Sequence, residues 1–194
     1  MISFTHIVDS VELEISDRDI KLEAAIARLS AGDEQALAEI YSLTRVSIYG
    51  FALSLLKNSY DAEDVMQDCY VAVFEHAKSY TPHGKPLAWM LTITRNFALK
   101  KLKSSARMVN EENLECYAEE KDVYTNPNEQ RLVINEMMDI LSDEERQIVT
   151  LHAVSGLKHR QIAQLLELPL STVLSKYNRA LKKIRNNFAG DVTQ

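Results

Sequence analysis

The chain has 194 residues, 46% of them hydrophobic, enough for one large or two small cores, and its 5 glycines and 4 prolines leave most of it free to be helical. No apolar run approaches the roughly 20 residues that span a bilayer, and Met1 to His6 lack the basic and apolar regions of a signal peptide, so the sequence reads as cytoplasmic, without membrane insertion. Cys69 and Cys116 belong to no CxxC pair, which argues against a zinc site or disulfide framework, and the net charge of −6 conceals two basic blocks.

The first eighteen residues are mixed and read as an extension. Ile20 to Ser30 reads as a short helix ended by Ala31-Gly32, with Asp33 as the N-cap of the next. That second helix carries Leu37, Ile40, Tyr41, Ile48, Phe51, Ala52 and Leu55 at helical spacing and stops near Lys57-Asn58-Ser59. A third starts at Ser59 or Asp61, with Val65, Cys69, Ala72, Val73 and Ala77 as its apolar stripe. Tyr80 to Pro86 is a loop, because two prolines and a glycine forbid regular helix there. A fourth helix from about Leu87 to Lys103 places Leu87, Met90, Leu91, Thr94, Phe97, Ala98 and Leu102 on one side. Trp89 and Phe74 read as core residues.

Residues 108–128 have little apolar periodicity and many acids, and read as a linker between a first domain over 19–107 and a second over 129–190. Leu132, Val133, Met137, Ile140 and Leu141 mark the second domain's first helix. Ser142-Asp143-Glu144-Glu145 is a capping-box sequence for the next, which stops near Ser155-Gly156. A short helix from His159 to Leu166, a turn over Glu167 to Leu170 and a final helix from Ser171 to Phe188 complete an all-α chain.

The basic blocks fall at helix ends. Arg95, Lys100, Lys101, Lys103 and Arg107 lie in one, and Lys176, Arg179, Lys182, Lys183 and Arg185 in the other. Glu111, Glu112, Glu115, Glu119, Glu120 and Asp122 separate them, a layout that suits two separated DNA contacts. The short turn before the last helix makes a helix-turn-helix. At about 100° per residue, Val173, Tyr177, Ala180, Leu181, Ile184 and Phe188 share one face, able to pack on Ile162, Ala163 and Leu166. Thr172, Ser175, Lys176, Arg179 and Lys183 share another, and with Ser171 they offer short hydroxyls near the N-terminus and longer cations behind, the division a helix needs in a major groove. No catalytic residues are legible: His6, His76, His83, His152 and His159 have no ligand spacing, and there is no phosphate-binding glycine loop or nucleophile motif, so neither cofactor nor metal is expected.

With these residues in view the chain resembles the bacterial RNA polymerase sigma factors, in the extracytoplasmic-function subgroup that keeps only regions two and four. Asp61-Ala62-Glu63-Asp64-Val65-Met66-Gln67-Asp68 resembles the region-two signature "DAEDLVQE", and Pro86-Leu87-Ala88-Trp89-Met90 with Arg95-Asn96-Phe97-Ala98 resembles the stretch that follows it. Leu141 to Phe188 resembles region four, a helix-turn-helix of winged-helix-like type. The resemblance implies a protein that binds core RNA polymerase and promoter DNA and promotes strand opening, with an anti-sigma factor as a further partner. It assigns Asp61, Glu63, Asp64, Gln67 and Asp68 to polymerase docking. It assigns the loop of Tyr80, Thr81, His83 and Lys85 to a flipped base of the downstream (minus-ten) element, with Arg95, Asn96, Lys100 and Lys103 near the opened strand. Ser171, Thr172, Ser175, Lys176, Arg179 and Lys183 fall to the upstream (minus-thirty-five) element. Two departures stand out. Glu167 replaces the usual turn glycine, and Leu174 and Leu181 replace common cations, so the upstream element is unusual, its contact weak, or that flank packs on another protein. A stand-alone helix-turn-helix regulator or a polymerase-binding adaptor is the competing reading, but neither needs both the acidic helix and the loop.

Overall fold

The computed structural model describes the backbone over residues 4–111 and 139–189 and side chains over 17–105 and 139–187. Seven α-helices and no strand occur among them: α1 (Phe4–Ser30), α2 (Ala36–Leu56), α3 (Ser59–His76), α4 (Pro86–Glu111), α5 (Asp143–Ala153), α6 (His159–Leu166) and α7 (Leu170–Ala189). The apolar residues 132–137 and the acids 112–122 lie outside the described residues.

Local chemistry sets most boundaries. Lys57 closes α2 in the left-handed region (φ 58°), and the Asn58 side chain accepts the Asp61 amide to open α3. Pro86 occupies the first position of α4, where its missing N–H costs nothing. Ser142 and Glu145 form the capping box of α5, and the Gln161 side chain accepts the Lys158 amide ahead of α6.

Three boundaries differ from the sequence reading. α1 begins at Phe4, so most of the extension continues the first helix. α2 begins at Ala36; Asp33 accepts the Gln35 amide within a preceding turn and does not cap the helix. α4 continues to Glu111, since nothing between Lys103 and Glu111 breaks a helix.

α1 to α4 pack around Leu22, Ile26, Ile40, Ile48, Phe51, Cys69, Val73, Met90 and Leu91. Polar groups in that core are paired: Thr44 and Tyr70 share a 2.9 Å hydrogen bond, and the Thr94 hydroxyl, 3.0 Å from the Met90 carbonyl and 3.4 Å from Cys69 Sγ, shares its one proton between them. Cys69 is a packing residue, its thiol pushed up to about 11 by burial. The helix-turn-helix shares this core, as Ile148, Leu151, Leu157, Ile162, Leu165, Leu166 and Val173 belong to the same apolar cluster. Gly50 of α2 lies against Thr150 and Val154, where an added Cβ would meet their methyls at 3.6 and 3.8 Å. Around this contact Arg18 Nη2 donates to the Ser155 carbonyl at 2.8 Å, Lys57 pairs with Asp143 at 2.7 Å, and Arg95 pairs with Glu167 at 3.3 Å. The two helical halves are thus packed against each other.

Candidate nucleic-acid interface

The signature helix α3 buries Ala62, Val65, Cys69, Ala72 and Val73 and turns its other side to solvent. Glu63, Asp64, Gln67 and Asp68 are exposed there together, and Asp61 lies half-buried at the edge facing α4. Lys101 of α4 bridges Asp61 and Asp64, 2.8 Å from each. Burial draws the Lys101 ammonium down, but its bonds to the two carboxylates outweigh that and raise its pKa. Tyr60, Val71 and Phe74 extend the same side with apolar surface. Phe74 is 45% exposed, so the expectation of a core role is wrong: Tyr70 takes the inward position one turn earlier. The helix therefore presents acids and exposed apolar groups together.

The loop and α4 form one continuous surface. Thr81, His83 and Lys85 are exposed, and Tyr80 is half-buried with its ring on Trp89, centroids 4.6 Å apart. These four residues, Ala88, Trp89 and Thr92 line a cleft of about 430 Å³, closed on its far side by Gln161, Gln164 and Leu165 of α6. Trp89 packs against the core and also walls the cleft. Along α4 the surface runs on through Asn96, Leu99, Lys100 and Lys103, which line a second concavity. This is helical spacing on one face, and it unites Asn96, Lys100 and Lys103 with the loop. Arg95 is at the margin of that face, tied to Glu167. Leu102, expected on the inner side, is 40% exposed.

In the second half α7 packs Val173 and Ala180 inward, with Tyr177 half-buried against them. Ser171, Ser175 and Arg179 are exposed as predicted; Thr172 is half-buried. Lys176 and Lys183 lean back onto α5, pairing with Glu144 and with Glu145 respectively, the latter at 2.6 Å. Glu145 is almost wholly buried. Burial alone would raise its pKa, but bonds from Lys183 and from the Ser142 amide and hydroxyl hold it below the usual carboxylate value. Asn178, Lys182 and Arg185 are exposed on the strip with Ser171 and Ser175, and the helical spacing 171, 175, 178, 182, 185 is the signal of that strip in the sequence. Leu181, assigned to the inner face, is exposed, and with Leu170 and Leu174 it makes an apolar edge beside that strip. Glu167 has φ 59°, a left-handed conformation in which a side chain costs about 1 kcal/mol relative to glycine, while its carboxylate reaches Arg95. Behind α7, His152 and His159 stack with centroids 4.4 Å apart, and Tyr177 meets both rings edge-on.

An acidic α3 face, a loop cleft running into a cationic helix, and a helix-turn-helix define a class, and comparisons with known proteins agree with it. Residues 40–108 match the family model of sigma-70 region 2 and residues 131–184 that of sigma-70 region 4. The chain is 27% identical over 176 residues to the ECF RNA polymerase sigma factor SigK of Mycobacterium ulcerans (strain Agy99), covering 87% of this chain and 94% of that one. It is 26% identical over 173 residues to SigK of Mycobacterium bovis (strain BCG / Pasteur 1173P2), covering 85% and 92%. Among solved structures, CnrH in complex with the cytosolic domain of CnrY aligns with a TM-score of 0.60 at 19% identity, over 88% of this chain and 99% of CnrH. The sigma factor RpoE of Bartonella quintana, in complex with the anti-sigma factor NepR, aligns at 0.61 and 22% identity, over 79% and 97%. The chain belongs to the sigma-70 family. Within it, the protein is a sigma factor of the ECF type, which binds core RNA polymerase and promoter DNA to initiate transcription and is a regulatory protein.

Proposed function

We propose that the exposed face of α3 docks on core RNA polymerase, that the 80–85 loop and the α4 stripe receive the opened downstream strand, and that the outer strip of α7 reads the upstream element. Residues 19–107 and 129–190 serve as the two promoter-reading domains, with 108–128 as their connector. The continuity of the α4 surface carries this reading. A line of donors and cations that tracks a backbone and ends at a cleft beside an aromatic pair suits a single strand with one unstacked base. The duplex is opened by binding energy, and the polymerase supplies the chemistry, so no residue here has a catalytic role.

The packed arrangement is the resting form. Its α6 forms one wall of the loop cleft and Glu167 occupies Arg95, so full promoter engagement requires the halves to part. An anti-sigma factor is the partner that would hold such a form. The RpoE neighbour, solved with its anti-sigma factor, supports this, as does the exposed edge of Leu170, Leu174 and Leu181. The protein acts in the cytoplasm, with the polymerase; among the described residues no helix is long and apolar enough to cross a membrane.

The docking assignment is tested by Asp64→Arg combined with Gln67→Ala. Both side chains are exposed, so the fold survives, and affinity for core polymerase in a pull-down should fall at least tenfold, about 1.4 kcal/mol. Unchanged affinity would remove α3 from the docking surface.

A further inference from the structure

Within the loop that lines the cleft, one bond from the His83 backbone to the Tyr80 hydroxyl is the internal restraint. Residues 81–85 are all exposed and lie outside regular structure, and among the described residues no backbone hydrogen bond is made by Thr81, His83 or Gly84 amides to another backbone group. Such a segment would sample many shapes, and ordering it would cost entropy each time a base bound. One side chain from a different element closes it. Glu23, half-buried on α1, accepts two hydrogen bonds on the same oxygen, Oε1: from the Tyr80 hydroxyl at 2.9 Å and from the Gly84 amide at 2.9 Å. These donors stand at the two ends of the loop, so a single carboxylate fixes both.

The surroundings fit that role. Burial, followed by the bond to Glu23, raises the pKa of the Tyr80 hydroxyl and keeps it a donor. Gly84 has φ 65°, and an added Cβ would meet nothing within 4 Å; the glycine serves the backbone conformation that turns its amide toward Glu23, with no steric need. Glu23 lies outside residues 40–108, which match the region 2 model.

We propose that Glu23 is a positioning residue for downstream base recognition: its carboxylate holds the 80–84 loop in the shape that receives the unstacked base, without touching the DNA itself. This rests on the reading of the loop as the base-receiving element. A preordered loop spends none of its contact energy on ordering, and its contacts differ between bases only if the cleft keeps one shape. Releasing the loop therefore erodes discrimination at one position more than it erodes overall binding. Gln keeps an acceptor oxygen for both donors, whereas Ala removes it.

The experiment uses full-length chain reconstituted with core polymerase on a promoter library randomised across both elements, with transcript starts sequenced. Compared are wild type, Glu23→Ala, Glu23→Gln, Tyr80→Phe and an exchange of Thr81 to Lys85 for another family member's loop. Glu23→Ala should lower the ratio between best and worst base at a single downstream position about tenfold, in line with loss of bonds to a charged acceptor. Glu23→Gln should retain most of it. Tyr80→Phe, which deletes one donor atom, should give a smaller loss at the same position and keeps the test open if the alanine variant folds poorly. Upstream preferences should stay as in wild type. If the loop exchange changes the preferred base while Glu23→Ala and Tyr80→Phe keep wild-type ratios, Glu23 has no positioning role and the loop reading stands. If the loop exchange leaves the preferred base unchanged, the loop reading falls and this proposal with it. Equal loss of output on every library member would make Glu23 merely structural and overturn the proposal.

Discussion

The two surfaces proposed to meet promoter DNA are built from similar residues but are held differently. On α4, Asn96, Lys100 and Lys103 are exposed along a concave stripe; Arg95 at its margin pairs with Glu167, and Lys101, held by Asp61 and Asp64, faces the opposite way toward α3. On α7, two of the cations nearest the expected DNA face, Lys176 and Lys183, are drawn back onto Glu144 and Glu145 of α5. Lys100 and Lys103 offer their charge at once, whereas Lys176 and Lys183 must exchange an internal partner for a phosphate. Helical position alone therefore does not decide which cations a helix presents. The neighbouring helix decides as well.

The largest break in that contrast comes from Glu145. Its carboxylate completes the capping box of α5 and anchors Lys183, so Glu145→Ala should destabilise the helix-turn-helix by about 2–3 kcal/mol. Denaturant unfolding, with amide exchange over α5 to α7, checks this. A loss below about 0.5 kcal/mol would make the pair a surface ornament. The same group gives an acid limit: with its pKa depressed in the folded state, its contribution is present above the unfolded value of about 4.3 and is lost as pH falls through the folded value.

A smaller change sharpens the contrast. Glu144→Ala releases Lys176, an exposed pair worth roughly 0.2–1 kcal/mol, and should strengthen upstream-element binding by holoenzyme up to about fivefold. It should also steepen the salt dependence toward about 0.9 per added phosphate contact. Unaltered affinity and slope would mean that Lys176 faces no phosphate in the complex. Lys101, by comparison, should tolerate alanine with no change at either promoter element.

The smallest expected effect concerns the histidine pair. Burial, and secondly His152, hold the pKa of His159 below the ordinary imidazole value. As pH falls below about 6.5, the unfolded chain takes up a proton that the folded state resists, so stability should decline from there downward. A thermal melt at pH 5.5 should lie below that at pH 7.5, and His159→Gln should remove most of the difference. A larger loss in His159→Gln than in wild type would contradict this.

Much of the molecule was legible locally. The bounds of α6, the capping box of Ser142 and Glu145, the loop from Tyr80 up to Lys85, with Pro86 opening α4 instead of ending the loop, and the buried stripe of α3 all follow from turn residues and spacing. What spacing could not supply was the competition between neighbours. Phe74 and Leu181 read as inward by period, yet Tyr70 and Ala180 fill the core positions beside them. Lys176 and Lys183 read as outward, but acids on α5, more than thirty residues away, attract them. The shared core of the two halves and the tether from Glu23 rest on contacts distant in sequence, and no local pattern encodes these. The start of α1 was missed for the opposite reason, since mixed residues gave neither a cap nor a clear period.

The division of labour between the two surfaces is tested most directly in one promoter library, randomised at both elements and transcribed by holoenzyme carrying wild-type chain, Asn96→Ala with Lys100→Ala, or Arg179→Ala. Arg179 is exposed on α7 with a guanidinium fork suited to guanine's paired acceptors. The account predicts that Arg179→Ala relaxes preference at one upstream base pair by roughly 1–3 kcal/mol and leaves downstream preferences intact. The α4 pair should reduce strand opening and alter only downstream preferences. Altered preferences at the opposite element, or wild-type preferences in both variants, would contradict it.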